Sequence, residues 1–405
     1  MDLLEKASII LTPTAYNTSE ALCVKPSDGT GDFDFSRATD ATRVNSQGLI
    51  ETIGINLPRI NYESGCGSWL FEPQSTNILT ISEDFSAAYW TKSNSPILTN
   101  NIASPDGENN AWEFLSTSNA SRIQRNLSVL PAGTHTQSIF VKYKDGDVRM
   151  NFKNNLFGSS QVFLITSSGV SEETPSSSVS IQEYSDGWHR ISVTYTANGI
   201  SNSFIQVFGD LGTPKNSFYI FGAQVEEQSY STSYIPTDGS TVTRNQELCT
   251  NGGSLASINS LEGVLYAEIK EISSFSSNNY ISLNIGGSGS QQFNNSIAIN
   301  FRNSDKRVKF EVRVGSTMVA QLDDNGFSLP IKAAVKYTSS EVSLYVNGNL
   351  IGTPQTPSSW FSANTLTEID YDRGGGSFRY FGETKCVAVW KEALTDAELT
   401  SLTTI

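Results

Sequence analysis

From residue 81 onward the chain is built largely of short runs in which apolar and polar side chains alternate. Period-two alternation suits a strand with one buried face and cannot form the stripe of a helix. Across 135–143 it places Ile139 and Val141 on one side and Phe140 and Lys142 on the other. Asp186-Gly187 is a turn signal feeding a run in which His189, Ile191, Val193 and Tyr195 share a face. Residues 204–208 and 218–226 supply two further strands, with Gly and Asn between them, as a sandwich requires. Charged residues are only 17% of the chain, which suits strands and polar turns better than helical bundles.

The chain has 405 residues, enough for two or three domains. Residues 1–80 are rich in turn formers (Pro13, Pro26, Gly29, Gly31, Pro58, Gly65 and Gly67) and read as an extended arm. A first sandwich spans 81–248. After Asn251-Gly252-Gly253-Ser254, a second spans 249–405, with strands over 263–269, 297–301, 308–314, 331–337 and 342–351. Asn347-Gly348 predicts a type I′ hairpin, whose two central residues need positive φ. Residues 394–399 predict one short closing helix, with Thr395 as its cap and Glu398 completing a capping box. The expected fold is therefore all-β: two tandem β-sandwich (jelly-roll) domains preceded by an irregular N-terminal arm.

Several function classes drop out on composition. With 27 basic against 41 acidic residues the net charge is −14, and no basic stripe offers a nucleic-acid surface. Cys23, Cys66, Cys249 and Cys386 form no CxxC pair, and His135 and His189 add no ligand cluster for zinc. All four read as unpaired buried thiols, with a Cys23–Cys66 bridge left open. No apolar run reaches the length of a membrane span, and the acidic opening around Asp2 and Glu5 is unlike a secretory signal. Neither histidine lies near a nucleophile elbow, and Gly286-Gly287-Ser288-Gly289 lacks the lysine and helix of a phosphate loop, so it reads as a turn.

The run Asp32-Phe33-Asp34-Phe35-Ser36-Arg37-Ala38-Thr39-Asp40-Ala41-Thr42-Arg43-Val44-Asn45, followed by Gly48-Leu49-Ile50-Glu51, precedes Pro58-Arg59-Ile60-Asn61-Tyr62 and Leu70-Phe71-Glu72-Pro73-Gln74-Ser75-Thr76-Asn77-Ile78-Leu79. This order resembles the opening of a group of bacteriophage virion proteins. The stretches 187–196, 218–226 and 229–237 resemble phage jelly rolls related to carbohydrate-binding modules. The last block looks like a laminin-G or concanavalin A-like sandwich. The resemblance implies a virion surface protein of tail-fibre or head-fibre type. On that reading it is made in the host cytoplasm, assembled as a homotrimer and directed at host or mucosal glycans. It also implies contacts to other virion proteins through the arm, with Phe35, Arg37, Arg43 and Asn45 as attachment candidates. A purely structural capsid or tail decoration is the alternative from another class.

Glu368, Asp370 and Asp372 occupy positions i, i+2 and i+4 of a strand and so share one face. They resemble the ExDxE arrangement of laminarinase-type glycoside hydrolases, in which one carboxylate is nucleophile and another the general acid. Here the last acid is Asp372, one methylene shorter, and the motif lies close to the C-terminus. The expectation is accordingly a solvated acidic face on a protein that is not an enzyme, with a glycan depolymerase as the lesser alternative. No cofactor is expected, and a structural calcium on these hard oxygens stays open. Trp90, Trp112 and Trp188 read as core. Trp360 and Phe361, in a polar loop, read as a platform for a sugar ring, with Tyr371, Arg373, Asp370 and Asp372 as further ligand candidates.

Overall fold

A computed structural model describes residues 3–63, 65–118, 121–154, 156, 161–209, 217–273, 278–287, 289 and 292–405. Among these, strands dominate, and the two α-helices are only four and eight residues long. The molecule is all-β, with multiple antiparallel sheets among the described residues. No helix among the described residues is long and apolar enough to cross a membrane.

The chain divides into two compact units. The first comprises Met1–Asp40, Ile53–Pro73 and Asn245–Ile405; the second comprises Ala41–Thr52 and Gln74–Arg244. The expected separate arm over 1–80 is thus corrected: that stretch is shared between the units, and they interleave along the chain. The physical reason lies in its short strands. Ile9–Leu11 pairs with Gly382–Trp390, as does Ser68–Phe71, which in turn pairs with Ile60–Asn61. Phe33, Phe35, Trp69 and Phe71, all 2% exposed or less, fill the core of the first unit. Several strands of the N-terminal segment thus complete a sheet whose other members lie between Glu262 and Trp390.

The first unit is a sandwich. Its eight-stranded sheet runs in the order Asn349–Gln355, Val342–Val346, Ile331–Thr338, Glu262–Ile272, Gly382–Trp390, Ser68–Phe71 and Ile60–Asn61, with Ile9–Leu11 alongside. The facing sheet runs Thr317–Asn325, Arg307–Val314, Ser296–Arg302, Asn279–Asn284 and Glu368–Asp370. Leu265, Ala267 and Ile269 of the one meet Ile281, Leu283, Ile297, Ile299 and Phe310 of the other. Asn347 and Gly348 have φ of 48° and 82°, as the predicted hairpin requires. The closing helix Asp396–Thr403 carries the predicted capping box of Thr395 and Glu398.

The second unit is also a sandwich, of two six-stranded sheets. The strand Gly133–Asp145 is central to one of them. Ile139 and Val141 enter the inter-sheet core, while Phe140 joins a separate cluster with Trp188, Phe221 and Tyr234 on the other face. Trp90 and Trp188 are buried, and Trp112 packs half-buried on the core. The cysteines are all free. Cys23 and Cys249 are buried, but Cys66 is exposed and Cys386 half-buried, which corrects the expectation of four buried thiols.

The motif that opens the chain has an interior role. In the first unit, the Arg37 guanidinium donates to Glu247 Oε1 at 2.8 Å and to the carbonyls of Thr39, Leu57, Ile53 and Gly54. Arg59 donates to Glu247 Oε1 and Oε2 at 2.7 and 2.5 Å and to Glu72 Oε2 at 2.8 Å. The backbone N–H of Glu72 also reaches Glu247 Oε2. Two arginines and two glutamates thereby balance inside the protein, with every partner satisfied by another or by backbone. Phe35 and Arg37 face inward at 2% and 1% exposure, so neither reaches a neighbouring virion protein, contrary to expectation. In the second unit Arg43 pairs with Glu51 at 2.7 Å, and Asn45 Oδ1 accepts from the N–H groups of Gln47 and Leu49 in a hairpin turn.

Candidate active site

The strand Glu368–Asp370 ends the five-stranded sheet of the first unit. Its alternation sends Ile369 into the core, while Glu368 and Asp370 point to the opposite face. Asp370 stands opposite Ser282 and Glu368 opposite Asn284 on the neighbouring strand. On the other side Ile369 exchanges both backbone hydrogen bonds with Gly252, at 3.0 and 2.7 Å. The strand is held from both edges, which fixes where its acids point.

Each carboxylate has a distinct setting. Asp370 accepts from the Asn251 N–H and from Asn284 Nδ2, both at 2.8 Å. Asp372 accepts from the N–H of Gly374, and its carbonyl takes the Ser282 hydroxyl at 2.8 Å. Glu368 lies against the turn at Gly286, where a Cβ would sit 2.6 Å from its Oε2; that residue has φ of +75°. Gly375, at φ +62°, approaches so closely that a Cβ would fall 2.0 Å from the Gly289 carbonyl. Glycine is required at both places, by contact and by backbone.

Together with Asp34, Asn251 and Arg379, the three acids line a cleft of about 470 Å³, within the roughly 300–1,000 Å³ typical of small-molecule sites. Burial pushes the Glu368 carboxyl up to about 7, with the neighbouring Asp370 charge adding to it. Asp372 is raised to about 6 by burial and by Asp370. Asp370 is also raised by burial, against the pull of its Asn251 and Asn284 donors. Glu368 thus holds its proton to a higher pH than Asp372, the division of labour that acid–base chemistry needs. Among the described residues, no group of three or more His, Cys, Asp and Glu side chains is arranged to hold a metal ion.

The other ligand candidates fall elsewhere. Phe361 is buried in the core at 5% exposure, and Trp360 packs over it with ring centroids 5.2 Å apart. The Trp360 indole N–H donates to the Leu261 carbonyl at 3.0 Å, making it a staple on the sandwich rather than an open platform. Tyr371 is enclosed by Phe33, Phe71 and Tyr380, which leaves its ring no face for a ligand. Arg373 bonds Glu311 at 3.1 Å and sits within 6 Å of the rings of Tyr280, Phe293 and Phe378, pinning the loop after Asp372. Asp370 and Asp372 remain. Sequence reasoning missed Asp34, Asn251, Asn284 and Arg379, which approach from separate segments; only the polar Asn284 in an apolar strand gave a signal.

No family model and no curated protein sequence matches this chain. Solved structures do. It is similar to the carbohydrate-binding module (CBM40) of the Ruminococcus gnavus IT-sialidase bound to α2,3-sialyllactose, at 19% identity and a TM-score of 0.30, over 36% of this chain and 83% of that one. It is similar to the leech intramolecular trans-sialidase at 19% identity and a TM-score of 0.29, spanning 36% of this chain and 24% of the enzyme. It is similar to the Trypanosoma rangeli sialidase at 10% identity and a TM-score of 0.27, over 72% of this chain and 60% of that one. The expectation of a protein that is not an enzyme, which rested on a solvated acidic face, is corrected: that face is a buried carboxylate cleft.

Proposed function

We propose that this chain is a glycan-directed protein of the virion surface and that the acidic cleft of its first unit hydrolyses glycosidic bonds. The observation that carries the chemistry is the convergence of three buried carboxylates, Glu368, Asp370 and Asp372, on one cleft. Glu368, raised to about 7, donates its proton to the leaving glycosidic oxygen. Asp372, ionised above about 6, serves as the partner base or nucleophile at the anomeric carbon. Asp370, anchored by Asn251 and Asn284, positions the Glu368 proton and adds negative charge where an oxocarbenium ion develops. Arg379 beside Asp372 holds that carboxylate toward its ionised form.

The neighbours that carry sialyllactose and sialic-acid derivatives favour glycans as the ligand class, and the placement on a virion rests on the resemblance of the opening motif. Homotrimeric display would raise the avidity of weak single sites. The test of the chemistry is reducing-end release from bacterial surface polysaccharides by the full chain. Glu368→Gln should lower the rate by about 10²–10⁴-fold, the span typical of a lost general acid. Release that persists unchanged in the Glu368→Gln and Asp372→Asn variants removes the cleft from the reaction. Electron microscopy of the parent particle tests the placement, and sedimentation tests the trimer.

A further inference from the structure

The second unit holds a pocket of its own, of about 260 Å³, at an open edge of its sandwich. One wall is the edge hairpin of Gln161–Thr166 and Gly169–Glu172; the other is formed by Gly133–Asp145 and Trp188–Ala197 with the edge strand Val179–Glu183. We propose that this pocket binds a single neutral pyranose ring, free or at the end of a glycan. The proposal goes beyond the hydrolytic cleft, since it concerns a separate site on the other unit.

Size sets the first limit. The pocket falls below the roughly 300–1,000 Å³ of sites for drug-sized ligands, so it suits one ring rather than an oligomer. The chemistry of its wall sets the second. Tyr143 and Val170 offer apolar surface for a sugar face, and the Thr166 and Ser167 hydroxyls line the rim. His189 Nδ1 lies 3.2 Å from the Gly187 carbonyl, a contact that Nδ1–H makes as donor, and in that neutral tautomer Nε2 is an acceptor. That edge stays open because residue 169 is glycine: at φ +128°, a Cβ there would stand 3.4 Å from His189 Nε2. Glu183 supplies a second acceptor, with no side-chain hydrogen bond or ion pair among the described residues. Sugar hydroxyls are donors that can reach both.

Charge sets the third limit. The Lys142 amine, the one Lys or Arg group on the wall among the described residues, is already paired with Asp186 Oδ2 at 2.6 Å. The unpaired carboxylate of Glu183 therefore dominates, and it opposes a carboxylated or phosphorylated ligand while accepting from a neutral one.

The experiment is an NMR titration of the full chain with D-glucose, D-galactose and D-mannose, and with N-acetylneuraminic acid as the carboxylated probe. At least one neutral sugar should bind saturably in the millimolar range, and the carboxylated one should not. Glu183→Ala and His189→Ala, both at the rim, should each weaken that binding at least fivefold, while Glu368→Gln should leave it unchanged. Absence of saturable binding by every neutral sugar overturns the proposal. So does binding that survives both rim substitutions, binding confined to N-acetylneuraminic acid, or binding lost in Glu368→Gln; the last would place the sugar in the cleft of the first unit.

Discussion

Two clusters of buried charge lie in the same unit and behave in opposite ways. Around Glu247, two arginines meet two glutamates, and the remaining donors are spent on backbone carbonyls. Around Asp370, three acids from one strand and the bend after it line one cleft, and Arg379 is the cation that faces them there. The first arrangement leaves nothing over. Its arginine is stabilised in the charged form: the glutamate charges at Arg59 push its pKa up despite burial. The second leaves an imbalance, and burial raises all three carboxylates. A balanced buried cluster specifies structure, whereas an unbalanced one holds protons near neutrality and is suited to chemistry.

Removing one member of the balanced cluster should have the largest effect. Arg59→Ala strands Glu247 and Glu72 as uncompensated buried charges, and a loss of about 3–5 kcal/mol is expected for such a break. Urea denaturation followed by tryptophan fluorescence checks this, because Trp69 lies in the same core. A loss below about 1 kcal/mol would put the cluster on the level of a surface ion pair and erase the contrast.

The same contrast marks what a reader of the sequence can and cannot see. The strand alternation, the Asn347-Gly348 hairpin and the Thr395–Glu398 box are local signals, and each is where local chemistry puts it. The pairing of Glu368 and Asp370 on one face is local too, since a strand's period is two; Asp372 lies past the end of that strand and reaches the cleft from the following bend. The glutamate that organises Arg37 and Arg59 is not local: Glu247 lies 188 residues beyond Arg59, one acid among 41. Asp34, Asn251 and Arg379 reach the cleft through topology for the same reason. Phe361 and Tyr371 failed as ligand candidates because a polar loop sequence does not report that its aromatic residues turn inward. The interleaving of the units was hidden in the same way, because strands of two to four residues complete a distant sheet.

The unbalanced cluster should respond to pH where the balanced one does not. Glycan release should rise as Asp372 ionises near pH 6 and fall as Glu368 loses its proton near pH 7, giving a narrow bell. Rate profiles between pH 4 and 9 read both limbs. A flat profile across that window would mean that these carboxylates do not carry the reaction.

Stability should follow the same protons, with a smaller effect. A carboxyl whose folded pKa is raised binds its proton more tightly in the folded protein than in the unfolded chain. Its contribution is therefore fully present below the unfolded value, about 4.3 for glutamate, and is lost as pH rises through about 7. The melting temperature should decline by a few degrees from pH 4 to pH 7 on account of Glu368 and Asp372. Glu368→Gln, which carries no charge at any pH, should flatten that slope. A slope that stays the same in the variant would assign it to other groups.

The smallest effect should come from the third arginine of the opening motif. Arg43 belongs to the same sequence run as Arg37, and read as letters the two are equivalent. In the folded protein they differ in solvent and in partners. Arg37 is closed off, with five acceptors, one of them a buried glutamate. The Arg43–Glu51 pair has side chains 15% and 35% exposed, so water screens the attraction and two long side chains lose freedom to make it. Arg43→Ala should therefore cost about 0.2–1 kcal/mol in urea denaturation, the range of exposed pairs, and should leave glycan release untouched. A cost near that of Arg59→Ala would show that the motif works as one unit regardless of burial. A cost near zero, beside a large one for Arg59→Ala, ties the difference to desolvation and to the number of satisfied donors rather than to the arginine itself.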